Sequence, residues 1–419
     1  MRRIFEEKAR PLPITEEMVV SAFKKVKRNG GGAGIDNISL TTYESNLSNN
    51  LYKLWNRLSS GSYFPPAVKA CEIAKSDGKK RTLGIPTVED RIAQQVIQDY
   101  LEARFEQVFH DHSYGYRPLR SAHQALTCVS ENVRRYAWVI DLDIQSFFDT
   151  VSHAKLLLAL DKHVEEKWVK MYISRWLEAP IVQSDGSLKY RSGQGTPQGG
   201  VISPLLANLY LHYTFDRWMD IHFPDLCFVR YADDIIIHCK TEKQSYYVLN
   251  KVRERFTSCN LTLHPDKTKI VYCKDYRRLE LKGKGTKFDF LGFSYRPQSM
   301  KSQRGGMFLG YGCELSKKSY SKMVGDIRST HFERWAKSWE AIALLLNDKI
   351  RGWVHYYDKY RRYTLKRVFH SFHIRLAKWI QDYYKRFKGS KWRSYAHLKY
   401  MRRHYPTLFY HWEIGYPIV

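Results

Sequence analysis

The segment Phe228-Val229-Arg230-Tyr231-Ala232-Asp233-Asp234-Ile235-Ile236-Ile237 constrains this chain more than any other. Two adjacent carboxylates sit between apolar runs rich in β-branched residues, which favour strands. The pattern predicts a β-hairpin with Ala232-Asp233-Asp234 as its tight turn, holding two acids at the tip of two buried strands. Acids placed there are costly unless something neutralises them. A solvated Asp-rich turn has the same local pattern, so the decision rests on a complementary site elsewhere. Trp138-Val139-Ile140-Asp141-Leu142-Asp143-Ile144 supplies it: a second strand pattern in which Asp141 and Asp143 share one face by the period of two. Carboxylates converging from separate strands on Mg²⁺ would form a two-metal clamp.

Tyr231-Ala232-Asp233-Asp234, with Asp143 upstream and Phe148 five residues beyond it, resembles the palm of a reverse transcriptase. Thr196-Pro197-Gln198-Gly199-Gly200-Val201-Ile202-Ser203-Pro204-Leu205-Leu206-Ala207-Asn208 narrows the resemblance to the group II intron-encoded class, the intron maturases. That resemblance implies an α+β right-hand fold, with fingers and a palm of antiparallel sheet followed by an α-helical thumb, domain X. It implies RNA-directed DNA polymerisation by two-metal nucleotidyl transfer, with help to intron splicing and mobility. The implied metal site is Asp143, Ile144, Asp233 and Asp234, with Asp143 and Asp233 as principal ligands of two Mg²⁺ ions and Asp234 assisting. Asp141 stands behind them. Phe148 is expected under the sugar of the incoming nucleotide, where it would clash with a 2′-hydroxyl, so the substrate is a dNTP; Phe147 beside it is core. Lys75, Arg81 and Gln198 are expected to hold the dNTP, and Lys267 to lie near the pyrophosphate leaving group. The nucleophile is the primer 3′-hydroxyl, so no protein nucleophile is needed.

The rest of the chain fits this frame. The 419 residues predict roughly two to four domains. A net charge of +27 favours a polyanionic partner, because binding releases condensed counterions. Seven cysteines without a Cys-x-x-Cys pair suggest reduced thiols and neither a zinc site nor a disulfide frame. The Met1-Arg2-Arg3-Ile4 start is no signal peptide, and no apolar run approaches a membrane span, so a cytoplasmic protein, nucleoid-associated when on DNA, is expected.

In chain order, residues 14–28 predict a helix with Val19, Val20, Phe23 and Val26 on one face, stopped by Asn29 and Gly30-Gly31-Gly32. The glycine loop and Ala33-Gly34-Ile35-Asp36 resemble the family's template-gripping N-terminal extension, although a plain helix cap fits equally. Residues 70–85 predict a hairpin around Ser76-Asp77-Gly78, flanked by Lys75 and Arg81. Leu83 to Arg91 leads into a helix capped by Thr87 or by Glu89-Asp90, with Arg91 structural. Ser113-Tyr114-Gly115-Tyr116-Arg117-Pro118 resembles the second fingers block. There Arg117 suits template contact, and a buried Arg paired with an acid suits the pattern as well. The glycines of the Thr196 to Asn208 block would let backbone approach a nucleotide closely. Phe288 to Phe293 resembles the primer-grip hairpin. Arg304 to Gly312 reads as a hairpin or linker. Leu346, Ile350, Trp353 and Tyr357 then form one apolar helix face of domain X, leaving Arg351 and Lys359 for RNA.

Residues 361–419 carry 14 Lys/Arg, two acids and 15 aromatics, a mixture suited to gripping nucleic acid. The expected domains are 1–60 (N-terminal extension), 61–300 (fingers and palm) and 301–419 (thumb with a short basic segment and no endonuclease). Without an endonuclease, a nascent strand at a replication fork or single-stranded DNA would prime. Expected partners are group II intron RNA, an RNA template with DNA primer, dNTPs and a DNA target, and no membrane. The rivals are a splicing cofactor that no longer polymerises, opposed by the three intact acids, and a domesticated cellular reverse transcriptase used in repair or defence.

Overall fold

A computed structural model describes residues 11–74, 80–278, 285–302, 305–360 and 362–418, with backbone alone at 74, 80 and 81. Its strands are β1 (Val68–Ala74), β2 (Lys80–Ile85), β3 (Trp138–Leu142), β4 (Ile181–Val182), β5 (Leu188–Lys189) and β6 (Cys227–Tyr231). They continue as β7 (Asp234–Cys239), β8 (Lys269–Tyr272), β9 (Phe288–Phe290), β10 (Phe293–Lys301) and β11 (Met307–Leu315). The chain forms two compact units, Met1–Ala125 with Ile140–Ile270, and Leu126–Val139 with Val271–Val419.

The first unit opens on the helix Glu16–Asn29, capped by Thr15, whose hydroxyl accepts from the Met18 N–H. Val19, Ala22, Phe23 and Val26 are its buried stripe, whereas Val20 faces outward, one position off the expected face. Gly30 closes the helix in the left-handed region at φ +68°. Behind it the Arg91 guanidinium donates to the Gly30 and Gly32 carbonyls at 2.8 and 2.9 Å. The glycine loop is therefore a cap wrapped on a structural arginine.

Thr87 caps the next long helix, Val88–Glu106. Asp90, in its first turn, is fully buried and accepts from Tyr63 Oη (2.9 Å), Trp176 Nε1 (2.7 Å) and Gln94 Nε2 (2.9 Å). Burial pushes its carboxyl up to about 6, with the three donors pulling the other way. Asp90 is thus an interior anchor and does not serve the helix dipole.

Two sheets carry this unit. One has the order β2-β1-β4-β5, with β1 antiparallel to β2 from Lys69↔Ile85 to Ala74↔Lys80 and parallel to β4 at Val68↔Ile181. The other has the order β6-β7-β3-β8. Strands β3, β6 and β7 are buried nearly throughout, as their Val and Ile content requires.

The second unit joins a three-stranded sheet, β11-β10-β9, to helices between Lys317 and Glu413. Leu291 and Gly292 (φ +46° and +82°) make the two-residue turn from β9 to β10, and residues 305–312 lead into and lie within β11, which pairs with β10, while Arg304 lies outside the described residues. In the helix Trp339–Tyr357, Leu346 and Ile350 are fully buried while Trp353 and Tyr357 pack on the core's edge. Phe369, Phe372, Trp379 and Trp412 complete that core. Each such side chain contributes about 1.5–3 kcal/mol on burial. β9–β11 group with the C-terminal helices in the second unit, together with residues 126–139. Among the described residues, no helix is long and apolar enough to cross a membrane. All seven cysteines are free.

Candidate active site

The hairpin forms as the sequence predicts but one residue tighter. Tyr231 pairs with Asp234, so Ala232 and Asp233 alone make the turn and Asp234 begins β7. Ala232 lies in the left-handed region at φ +57°, a conformation that costs a residue with a side chain roughly 1–2 kcal/mol. A strap holds it there. Tyr114 N–H donates to the Arg230 carbonyl (2.8 Å) and Arg230 N–H to the His112 carbonyl (2.9 Å). Gly115 then passes so close that a Cβ on it would lie 2.5 Å from the Ala232 nitrogen.

Beneath the turn lies a polar cluster that the sequence reading missed. Arg230 and Asp216 are both fully buried, paired by Nε to Oδ1 (2.7 Å) and Nη2 to Oδ2 (2.5 Å). Arg230 Nη1 also donates to Asn208 Oδ1 (2.9 Å) and to the Ala232 carbonyl (3.1 Å). Burial pushes the Asp216 carboxyl up, but the Arg230 guanidinium and His212 more than offset it and hold it below its ordinary value. A buried polar residue flanking a turn was the available signal; its partners, far off in sequence, were not.

Asp143 follows the last residue of β3 and is clasped by the 262–268 segment. His264 N–H donates to the Asp143 carbonyl (2.8 Å) and Gln145 N–H to the Thr262 carbonyl (2.8 Å), while Ile144 bridges to Leu263. Lys267 Nζ stands 3.4 Å from Asp143 Oδ2, both partly exposed. Asp143 and Asp233 line one cavity of about 530 Å³, together with Ile144, Phe148, Gln198 and Lys267. Phe147 is buried, as expected of a core residue. Asp234 is exposed and is not among the cavity's lining residues. Ile144 is apolar, so it can offer a cation only its backbone carbonyl.

Gln198 enters the cavity on a loop laid against β2. Gly84 N–H donates to the Gln198 carbonyl at 2.6 Å, and a Cβ on Gly199 would overlap the Gly84 carbonyl. A Cβ on Gly200 would come within 2.8 Å of Ser203 Oγ and 3.1 Å of Gln94 Oε1. These glycines allow the loop to pack closely on β2 and on the helix Val88–Glu106.

Two further cavity residues were not foreseen. Burial pulls the Arg191 guanidinium down to about 10, opposed by Asp149, so it stays cationic at neutral pH. Its Nη1 and the Thr196 hydroxyl are buried with no hydrogen-bond partner among the described residues.

The remaining expected contacts separate. Arg117 is buried, with Nε and Nη2 on Glu106 (3.0 and 2.6 Å) and Nη1 on the His110 and Ser113 carbonyls (2.6 and 2.7 Å). Its donors are spent inside the protein, which corrects the template-contact reading. Arg351 and Lys359 are exposed in the second unit, Arg351 lying 5.1 Å from the Tyr410 ring centre. Lys75 and the Arg81 side chain lie outside the described residues.

Among the described residues, no three His, Cys, Asp or Glu side chains gather closely enough to cage a metal. Asp143 and Asp233 nevertheless suit Mg²⁺, which keeps several waters and takes one or two carboxylates beside substrate phosphates. The donor set fits an ion that arrives with its substrate.

An antiparallel hairpin turn and a strand end that bring Asp233 and Asp143 to one cavity match the arrangement expected of a polymerase palm. Residues 73–295 match the family model for reverse transcriptase (RNA-dependent DNA polymerase), and residues 320–398 match the group II intron maturase-specific domain. The chain belongs to the group II intron-encoded reverse transcriptases, a family that acts on nucleic acid with a divalent metal. It is 33% identical over 305 residues to Protein YkfC of Escherichia coli K12, covering 62% of this chain and 79% of that protein. It is 35% identical over 182 residues to the group II intron-encoded protein LtrA of Lactococcus lactis, covering 43% of this chain and 30% of LtrA. An uncharacterised 91 kDa protein in the cob intron of Schizosaccharomyces pombe is 32% identical over 200 residues, 48% of this chain and 24% of that one. The chain thus spans less than a third of the Lactococcus and fission-yeast proteins.

Proposed function

We propose that this chain copies RNA into DNA from a primer 3′-hydroxyl and that its C-terminal unit holds a group II intron RNA for splicing. One observation carries the first half: Asp143 and Asp233, from segments ninety residues apart, line one cavity with Phe148, Gln198 and Lys267. Two Mg²⁺ ions held by those carboxylates, with the Ile144 carbonyl and Asp234 assisting, would activate the 3′-hydroxyl and steady the leaving pyrophosphate.

The protein's own groups do the rest. Phe148, half-buried at the cavity wall, is the surface on which a deoxyribose rests and a 2′-hydroxyl does not fit. Gln198 orients the incoming dNTP with its paired donor and acceptor. Lys267, 3.4 Å from Asp143 Oδ2, is placed to neutralise phosphate charge beside that carboxylate. By the family resemblance, Lys75 and Arg81 are the remaining cations assigned to the triphosphate. The exposed cations Arg351 and Lys359 meet the intron RNA.

The test is extension of a DNA primer on an RNA template with Mg²⁺ and dNTPs, beside Asp233→Asn. Wild type should extend and the variant should not. A well-folded wild type that binds structured intron RNA tightly but extends nothing would refute polymerisation and leave a splicing cofactor.

A further inference from the structure

The helix Ser203–Leu211 does not run on as an α-helix. It passes through a π turn, His212–Asp216, before the helix Arg217–His222 resumes. Asn208 and Asp216 are eight positions apart. At 3.6 residues per α turn, eight residues overshoot two full turns by about 80°. Two side chains so offset would not meet one guanidinium. A π turn spans i to i+5 and takes up the surplus residue. Asn208 and Asp216 accordingly both reach Arg230, at 2.9 Å through Nη1 and 2.7 Å through Nε.

The third partner of that guanidinium is the Ala232 carbonyl, 3.1 Å from Nη1. Asn208 also works from the other side, its Nδ2 donating to the Gly115 carbonyl at 2.8 Å. Gly115 is the residue pressed against the Ala232 amide. One asparagine therefore touches both the group beneath the left-handed turn and the strap beside it. Arg230, Asp216 and Asn208 are each at most 1% exposed. A buried ion pair is a poor route to stability, because well-packed apolar groups of the same volume do as well, and its best-attested use is to fix register.

We propose that the π turn is a positioning device for polymerisation: it brings Asn208 and Asp216 onto one helix face so that Arg230 fixes Ala232 and, through it, the Asp233 carboxylate. Arg230, Asn208 and Asp216 are positioning residues, not catalytic ones. The inference rests on reading Asp233 as a carboxylate of the reaction.

The experiment uses the full chain with Asn208→Leu, which leaves the ion pair intact, and with a one-residue deletion of Tyr213, which restores α register. Each is followed by single-turnover dNTP incorporation, thermal melting and amide exchange of the peptide covering residues 230–235. For Asn208→Leu the incorporation rate should fall about 10- to 100-fold, with the dNTP KM moving less than about threefold. Exchange in the turn should quicken while the melting temperature holds within a few degrees. An unchanged rate, or a rate loss that merely follows the unfolded fraction, overturns the proposal. If the deletion variant does not fold, Asn208→Leu decides alone. If wild type extends no primer, the polymerase reading fails, and turn exchange in Asn208→Leu still decides the brace: quickened exchange supports it, unchanged exchange ends it.

Discussion

The Ala232-Asp233 turn of the first unit and the basic helices of the second solve opposite problems. The turn places one carboxylate, and it does so with groups that are expensive to bury: a left-handed alanine, an arginine and an aspartate without solvent, and a glycine with no room for a side chain. The C-terminal helices keep an apolar core of Leu346, Ile350, Phe372 and Trp379 and leave Lys385, Arg386, Lys391, Arg393 and Lys399 exposed, with Trp392 and Tyr400 among them. No acid interrupts residues 383–412. Reaction geometry tolerates little displacement, so the turn is over-determined from several directions. Adhesion to a polyanion needs charge density, and solvated side chains on stable helices supply it.

Substitutions break that contrast in graded steps. Asp143→Asn should have the largest effect, lowering single-turnover incorporation about a thousandfold or more while leaving binding of primer–template nearly intact. Arg191→Ala should act on the substrate: the dNTP KM rises about tenfold, the loss of a charge-assisted contact in a sheltered cavity, with a smaller change in rate. Arg351→Ala with Lys359→Ala should spare short primer–template extension and weaken structured intron RNA. The slope of log affinity against log salt should become shallower by about one to two. A fall in extension equal to that of the Asn208→Leu variant would erase the distinction between placement and adhesion.

The smallest effect concerns stability alone. The Asp90 carboxyl titrates near 6 in the folded protein and near its ordinary 3.8 when unfolded. Below both values the proton is bound in both states and the contribution is complete. As pH rises from about 4 to about 6 the unfolded chain loses the proton first, so stability falls across that window and levels off above it. Asp90→Asn should flatten the melting temperature over the same range. A slope unchanged by the substitution would assign it to other groups.

What was legible in the sequence was what depends on neighbours. The period of two read residues 138–144 as a strand, and β3 forms at Trp138–Leu142 with Asp143 just beyond it; the i, i+4, i+7 spacing placed Leu346 and Ile350 in a core. The Asp233 turn was marked by its apolar flanks. The motifs also located the cavity, since Asp143, Asp233, Phe148, Gln198 and Lys267 line it together. Illegible was whatever depended on a distant partner. For Arg117 the sequence left template contact and a buried ion pair equally open, and Glu106 with two carbonyls around it favours the second. Close approaches such as Gly31 to Arg91 and Gly199 to Gly84 depend on partners that the local sequence does not show. The π turn has no local signature, because one surplus residue in a helix becomes visible only when Asn208 and Asp216 meet the same guanidinium. The two-residue turn places Asp233 in the turn and Asp234 at the start of β7, a difference the sequence pattern did not show.

The contact of Gly84 with Gln198 and Gly199 has a mechanical consequence. With no side chain on either glycine and a 2.6 Å hydrogen bond across the gap, the β1–β2 ribbon and the glutamine loop are welded at one point. A displacement of β2 at Gly84 is therefore passed directly to the backbone of Gln198, a residue of the cavity wall.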